Sequence, residues 1–216
     1  MVNGKKKMNS ENKNIVIKAE NVCKSFSRKN VLKDINITLR EGELIAATGE
    51  NGSGKSTLLK ILTGILKPDN GKVIMTGKVG FCPQEQLIFN SLTVNENFRY
   101  FSGAYGFSNQ NPAEYENQKF ELMRRFRFEQ YKDVITENLS GGTKQKLNLC
   151  IALIHSPAIL LLDEPYSGFE WETYLRFWDY AKDLKEKGVC IIVVSHFIYE
   201  REKFDRIYEL NGGVLI

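Results

Sequence analysis

Eight residues, Gly49-Glu50-Asn51-Gly52-Ser53-Gly54-Lys55-Ser56, constrain this chain more than any other stretch. They match G-x-x-x-x-G-K-[ST] and stand between an apolar run, Leu44 to Thr48, that reads as a short strand and a segment, Lys55 to Leu62, that reads as a helix. In that second segment Leu58, Leu59, Ile61 and Leu62 fit one buried helix face. Strand, glycine-rich loop and helix together make a phosphate cradle. The glycines let backbone N–H groups wrap an anion, and the helix start adds partial positive charge. There Lys55 would reach the β and γ phosphates of a nucleotide, and the Ser56 hydroxyl would hold Mg²⁺. The bland alternative is a glycine-rich strand-to-helix turn that matches by coincidence.

The rest of the chain arranges itself around that unit. Ile15 to Val22 alternates apolar and polar residues, as do Ile35, Ile37 and Leu39, which predicts an antiparallel β lobe at the start. Pro68 to Gly71 reads as a turn, followed by short strands at Val73 to Met75 and Val79 to Cys82. From Thr93 to about Arg127 the pattern is helical. Phe98, Phe101 and Tyr105 recur at spacings of three and four, a break falls near Ser108 to Pro112, and a second helix runs through Phe120, Met123 and Phe126. Gly141 and Gly142 open another helix, to Ser156; Glu172 to Lys187 is amphipathic, and Ile159 to Leu162 and Ile191 to Val194 read as buried strands. Strands alternating with helices imply an α/β fold with a mostly parallel, doubly covered sheet.

Composition narrows the class. A chain of 216 residues with 42% hydrophobic and 26% charged residues is an ordinary globular domain rather than a disulfide mini-protein or a disordered chain. Apolar runs such as Ile159 to Leu162 fall far short of the roughly 18 residues of a membrane span, and the N-terminus lacks the apolar segment of a signal peptide. A soluble, cytoplasmic chain is expected. Of the net charge of +4, Lys5, Lys6, Lys7 and Lys13 against Glu11 place most in residues 1–14, read as a disordered polar tail. The remaining body is nearly neutral, which argues against nucleic acid as a partner. Cys23, Cys82, Cys150 and Cys190 are widely separated and show no zinc-ligand spacing, so free thiols in a reducing compartment are expected.

Two further stretches carry chemistry. Ile159 to Leu162 ends in Asp163-Glu164-Pro165, at the strand edge where α/β sheets place ligands. Asp163 fits the metal shell, and Glu164 could polarise the water that attacks a γ-phosphate. Alone, an apolar strand ending in Asp-Glu could equally be a solvated strand end. Leu139-Ser140-Gly141-Gly142-Thr143-Lys144-Gln145-Lys146 offers a helix cap at Ser140 and two glycines that leave the first N–H groups open to an anion. It could also be an ordinary helix cap.

These motifs, in this order, resemble those of ATP-binding cassette (ABC) ATPases, over about Ile15 to Leu210. The resemblance implies a P-loop NTPase fold: a mostly parallel sheet core, an N-terminal antiparallel β lobe and a helical subdomain at about 85–157, all within one domain spanning 15–216. It implies that ATP is held by Gly49, Asn51, Gly52, Ser53, Gly54, Lys55, Ser56 and Thr57, with Phe26 stacked on adenine. Ser140, Gly141 and Gly142 would contact the nucleotide of a second cassette. Mg²⁺ would lie at Ser56, Gln84 and Asp163, and Glu164, His196 and Gln84 would serve catalysis. Taken singly, Phe26 could instead belong to the core, Gln84 to a solvated loop and His196 to the surface.

The chain departs from the family pattern in three places. Phe26 replaces the usual Tyr, Thr143 stands where many members carry Gln, and Tyr166-Ser167-Gly168-Phe169-Glu170 replaces a loop that usually ends in Asp. The last puts inter-subunit communication in doubt more than binding. With one copy of each element, the chain would pair with a second nucleotide-binding subunit, the same or a related cassette, and with a separate transmembrane permease at the inner face of the membrane. Leu92 to Phe98 with Tyr100, Phe101 and Tyr105 is similar to exporters of drugs, bacteriocins or antimicrobial peptides. Twenty residues follow His196, so the C-terminal domain that many importer cassettes carry is not expected. The competing readings are a catalytically weak regulatory half of a heterodimer and a soluble, non-transport ABC protein.

Overall fold

The computed structural model describes residues 14–216 except Arg28, Asn111, Phe197 and Tyr199, and except the side chains of Asn109 and Gln110. The tail expected over 1–14 lies almost wholly outside the described residues. From the start, β1 (Ile15–Phe26), β2 (Lys29–Arg40), β3 (Leu44–Thr48), α1 (Lys55–Leu62), β4 (Asn70–Met75) and β5 (Val79–Cys82) follow in order. The helices α2 (Val94–Ala104), α3 (Phe107–Gln110), α4 (Pro112–Arg125) and α5 (Gly141–Leu153) come next. Then come β6 (Ile159–Asp163), α6 (Trp171–Glu186), β7 (Cys190–Val194), β8 (Arg206–Asn211) and β9 (Val214–Leu215).

Two sheets result. One is three-stranded and antiparallel, in the order β2-β1-β4; the other has six strands in the order β5-β6-β7-β3-β8-β9, parallel except for β9. The alternation along each strand sorts the core into two clusters. Leu44, Leu160, Leu162, Ile191 and Val193 pack with the helical segment, α5 and α6. Ile45, Ala47, Ile159, Leu161, Ile192 and Val194 pack with α1 and the antiparallel lobe. Every residue of β6 and β7 is therefore buried, as an inner parallel strand covered on both faces must be.

Most expected elements stand where the apolar periodicity puts them, and the differences have local causes. β1 runs on to Phe26 because Lys24, Ser25 and Phe26 pair with Leu32, Asn30 and Lys29 across the hairpin. β4 starts at Asn70, inside the expected turn, because Asn70 pairs with Cys23. α5 stops at Leu153, not Ser156: Ser156 takes a φ of 51° and precedes Pro157, whose ring disfavours a helical residue before it. In the helical segment Phe98 is buried, but Tyr105 is 40% and Phe120 54% exposed, and Phe126 is buried just beyond the end of α4. Cys82, Cys150 and Cys190 are buried, and Cys23 is half-buried.

His155, just past α5, ties that helix to β5. Its Nε2 lies 3.1 Å from the Val79 carbonyl oxygen, its ring stacks on Tyr105 at 3.8 Å, and only 3% of it is exposed. Burial, aided by the Lys78 charge and opposed by the Val79 hydrogen bond, holds its pKa below the ordinary value. The unfolded chain therefore takes up a proton, at pH values below about 6.5, that the folded chain refuses, and stability falls as pH drops through that window. Urea midpoints measured from pH 8 to pH 5 should show a shallower acid decline in His155→Gln than in the unaltered chain, by up to about 1.4 kcal/mol per pH unit. Equal slopes would mean that the imidazole titrates as freely as in water.

Candidate nucleotide site

The loop after β3 is bent by its glycines. Gly49 has φ +144°, and a side chain there would run into the Leu210 carbonyl of β8. Gly54 has φ +109°, and a Cβ would come within 2.9 Å of Val31 Cγ1 on β2. Only glycine lets the loop lie this close to both strands. Lys55, at the first position of α1, is 6% exposed, and its Nζ donates to the carbonyls of Gly49 at 2.7 Å and Glu50 at 2.8 Å. Two of the three ammonium protons thus close the loop, leaving one for an anion above it. Burial lowers the Lys55 pKa, while Glu164 and Asp163 hold it up.

A cavity of about 250 Å³ lies over this loop, and its lining unites residues far apart in the chain: Asn51, Gly52, Gly54, Lys55, Ser56 and Thr57 with Gln84, Asp163 and His196. A neighbouring groove of about 460 Å³ shares Val31, Asn51 and Gly52 with it and extends past Ser53 to Lys29 and Lys33. The buried Ser53 hydroxyl has no hydrogen-bond partner among the described residues.

The carboxylates sit at the ends of the central strands. Asp163 closes β6 and is 3% exposed; burial pushes its pKa up, while its hydrogen bond with Ser56 and the charge of Lys55 pull it down. Glu164 then takes a left-handed φ of 50°, which strains a residue with a side chain. That turn sends its carboxylate back to the end of β7. Glu164 Oε1 accepts the His196 backbone N–H at 2.8 Å and lies 3.5 Å from His196 Nε2, and Oε2 takes the Ser195 hydroxyl at 3.4 Å. One carboxylate, one hydroxyl and one amide oxygen, from Asp163, Ser56 and Gln84, are hard donors of the kind that suits Mg²⁺. Among the described residues no cluster of three or more His, Cys, Asp or Glu could hold a metal by itself, so such an ion would need phosphate oxygens as well.

Other candidates lie apart from this cavity. Phe26, at the hairpin tip, is 47% exposed with the Lys24 ammonium 5.6 Å from its ring, so it belongs to no core. Ser140 caps α5, its hydroxyl accepting the Thr143 N–H at 3.2 Å, and Ser140, Gly141 and Gly142 do not line the cavity of Lys55. Gly142 is pressed on the loop after Glu164: a Cβ there would meet the Gly168 carbonyl oxygen at 2.7 Å.

Sequence reasoning missed the residues that bind these parts together. Asn148 on α5, 2% exposed, donates to the Pro83 carbonyl at 3.0 Å, and its Oδ1 accepts the Leu87 N–H at 3.2 Å, which brackets Gln84. Gln145, one turn earlier, donates to the Pro165 carbonyl at 3.2 Å and accepts from Gln86 Nε2 at 3.2 Å. Asn97, fully buried on α2, bonds both backbone groups of Phe89. In sequence these are polar positions on helices; a polar residue at a helix position where its neighbours are all apolar, as at Asn148 between Leu147 and Leu149, is the one available signal.

A phosphate loop on β3, a carboxylate pair on β6 and a histidine after β7, converging on one sheet edge, define a nucleotide-binding cassette of the phosphate-loop class. The model of the ABC transporter family matches residues 32–167. Among curated proteins, the chain is 34% identical to the probable multidrug ABC transporter ATP-binding protein YbhF of Escherichia coli, over 93% of this chain and 36% of that protein. It is 31% identical to the linearmycin resistance ATP-binding protein LnrL of Bacillus subtilis, over 93% of this chain and 68% of that protein. It is 32% identical to Nod factor export ATP-binding protein I of Bradyrhizobium diazoefficiens, over 94% and 70%. The chain spans about a third of the length of the first curated relatives it matches, 29% and 36%. Among solved structures, an ATP-binding subunit of an ABC transporter superposes with a TM-score of 0.86 at 26% identity, over 93% of this chain and 88% of that one. A dimeric ATP-binding cassette in a post-hydrolysis state with ADP and phosphate gives 0.82 at 26%, over 92% and 96%. The chain belongs to the ABC transporter family and is an ATP-binding cassette.

Asn148→Leu keeps the volume but leaves the Pro83 carbonyl and the Leu87 N–H without partners. The urea midpoint should fall by the equivalent of about 2–4 kcal/mol, the desolvation of two buried polar groups. An unchanged midpoint would mean that the loop around Gln84 stands without α5.

Proposed function

We propose that this chain binds and hydrolyses ATP as the nucleotide-binding subunit of an exporter, driving a separate membrane subunit and working as a pair of cassettes. The observation that carries this reading is the convergence of Lys55, Ser56, Gln84, Asp163 and His196 on one cavity, with the Glu164 carboxylate fixed at its edge by His196. The relatives named for a multidrug ABC transporter, for linearmycin resistance and for Nod factor export support export. No helix among the described residues is long and apolar enough to cross a membrane.

The chemistry follows from the placements. The N–H groups at the start of α1 and the Lys55 ammonium take the β and γ phosphates, and Phe26 offers an exposed ring face to adenine. Ser56, Asp163 and Gln84 would hold Mg²⁺, which would supply neutralisation of phosphate charge. Glu164 orients and deprotonates the attacking water, and His196 stands beside that carboxylate and lines the cavity in which the terminal phosphate would lie. Ser140, Gly141 and Gly142, being exposed or half-exposed at a helix start and away from their own chain's cavity, are left to contact a nucleotide held by a second cassette. This joint lining of one cavity weighs against a catalytically weak regulatory half. Glu170 at the first position before α6 makes no side-chain cap, so the charge kept there does not do the capping an Asp would.

Hydrolysis and pairing are tested together. Glu164→Gln should bind Mg-ATP and slow phosphate release by roughly 10²–10⁴-fold, the usual contribution of a positioned general base. With its nucleotide intact it should sediment as a dimer, whereas the unaltered chain with ADP should sediment as a monomer. Lys55→Ala should lose ATP binding itself. A Glu164→Gln chain that hydrolyses at the normal rate would remove Glu164 from its role.

The docking face for the membrane subunit lies beside Gln84. The rings of Phe89, Tyr100 and Phe101 lie within 4.7–5.7 Å of one another, and Leu87, Phe89 and Tyr100 are exposed, whereas Phe98 is buried and takes no part. Leu87→Ser with Tyr100→Ser should leave soluble ATPase activity within about twofold and abolish transport in cells, since exposed apolar patches of this kind mark contact surfaces. Transport at the normal level would place docking elsewhere.

A further inference from the structure

We propose that the aromatic groove behind Glu164 is a binding site for a small organic cation, an amine or quaternary ammonium with an apolar body. The groove has a volume of about 520 Å³, within the usual range for small-molecule sites, and Tyr166, Trp171, Tyr174, Trp178, Phe204 and Glu200 line it. It is separate from the nucleotide cavity, with which it shares no lining residue.

The rings form two walls. Trp171, 70% exposed, stacks on Tyr174 with centroids 5.5 Å apart and planes 18° off parallel. Trp178 meets Phe204 edge-on at 5.4 Å, and Tyr166 meets Tyr174 edge-on at 5.3 Å. Aromatic faces carry partial negative charge, and the one acidic group among them, Glu200, is held in place by the Tyr174 hydroxyl at 3.0 Å. Faces and carboxylate together repel anions and attract cations. The chain itself shows where a cation sits: the Lys203 ammonium lies 5.6 Å from the Trp178 ring centroid and 3.5 Å from Glu200 Oε2. That side chain is 32% exposed, and a primary ammonium is strongly hydrated, so Lys203 can turn out to water with small loss. A quaternary ammonium with an apolar body gains more from the same position, because it is weakly hydrated and covers the exposed face of Trp171 as well.

The groove also touches the hydrolytic centre. Tyr166 follows two residues after Glu164, whose Oε2 accepts the Ser195 hydroxyl at 3.4 Å.

The sequence contains two tryptophans, and both line the groove, so intrinsic fluorescence reads its occupancy directly. The full chain is titrated with benzyltrimethylammonium and with its uncharged carbon isostere, neopentylbenzene. The cation should give a saturable spectral shift with an affinity at least about tenfold above the isostere. Glu200→Gln should weaken it about tenfold, and Lys203→Ala should tighten it several-fold by vacating the position. The opposed directions of the two variants separate a lost contact from a damaged fold. Equal affinity for cation and isostere, an unchanged Glu200→Gln or a weakened Lys203→Ala would overturn the assignment. So would a response that vanishes as the protein is concentrated, which would show a second copy of the chain covering the groove.

Discussion

The register of the parallel strands β5, β6, β7 and β3 is the constraint on which the site depends. Cys82 lies beside Leu162, Asp163 beside Val194, and Val194 beside Ala47, so the four strands end at nearly the same level. Gln84 follows the first, Glu164 the second, Ser195 and His196 the third and the phosphate loop the fourth. The contributions of the four strands lie far apart in sequence; a common edge of the sheet makes them neighbours. A slip of one residue in β6 would exchange Leu160 and Leu162 with Ile159 and Leu161 between the two core clusters, so the packing that fixes the fold also fixes the site.

How much of this was legible depended on the range of the interaction. The phosphate loop is a local device: glycines, a lysine and a helix start within eight residues suffice to identify it. Buried parallel strands are legible because Ile159 to Leu162 and Ile191 to Val194 are apolar on both faces. The helical segment was legible as helix but not as surface, since Phe98, Phe101 and Tyr105 share a spacing while only Phe98 is fully buried. Its periodicity cannot say how wide the contact beneath it is. The bonds of Asn148 and Gln145 were not legible because their partners lie in other segments; the apolar neighbours of Asn148 signal a buried polar group but not what it binds. The aromatic groove was invisible for the same reason: Tyr166, Trp178 and Phe204 come from a loop, a helix and the segment between β7 and β8, which only the folded sheet brings together.

The helix α5 then has a place that neither end explains alone. Its first turn presents Ser140 and Gly142, its middle holds the loop of Gln84 through Asn148 and the loop after Glu164 through Gln145, and its far end grips β5 through His155. Nearly every side chain from Leu147 to Leu153 is buried. A shift of its first turn therefore cannot be absorbed locally; it is transmitted to the loop of Gln84 and to the loop after Glu164, because a close-packed helix moves as a rigid body. The contact of Gly142 on Gly168 adds a second route from the same turn to the loop that leads into α6.

Strain at Glu164 completes the argument. A left-handed conformation at a residue with a side chain costs on the order of 1–3 kcal/mol and persists only where neighbours over-determine it. Here the neighbours are identifiable: the Glu164 N–H is bound by the Val194 carbonyl at 3.0 Å, the carboxylate by His196 and Ser195, and Gln145 reaches the carbonyls of Glu164 and Pro165. A glycine would remove the strain and the carboxylate together. The chain instead keeps a strained glutamate, anchored from β7 on one side and α5 on the other, so the fold itself positions its carboxylate. Tyr166, two residues on, lines the aromatic groove, so the loop that leaves this anchor leads directly into that groove.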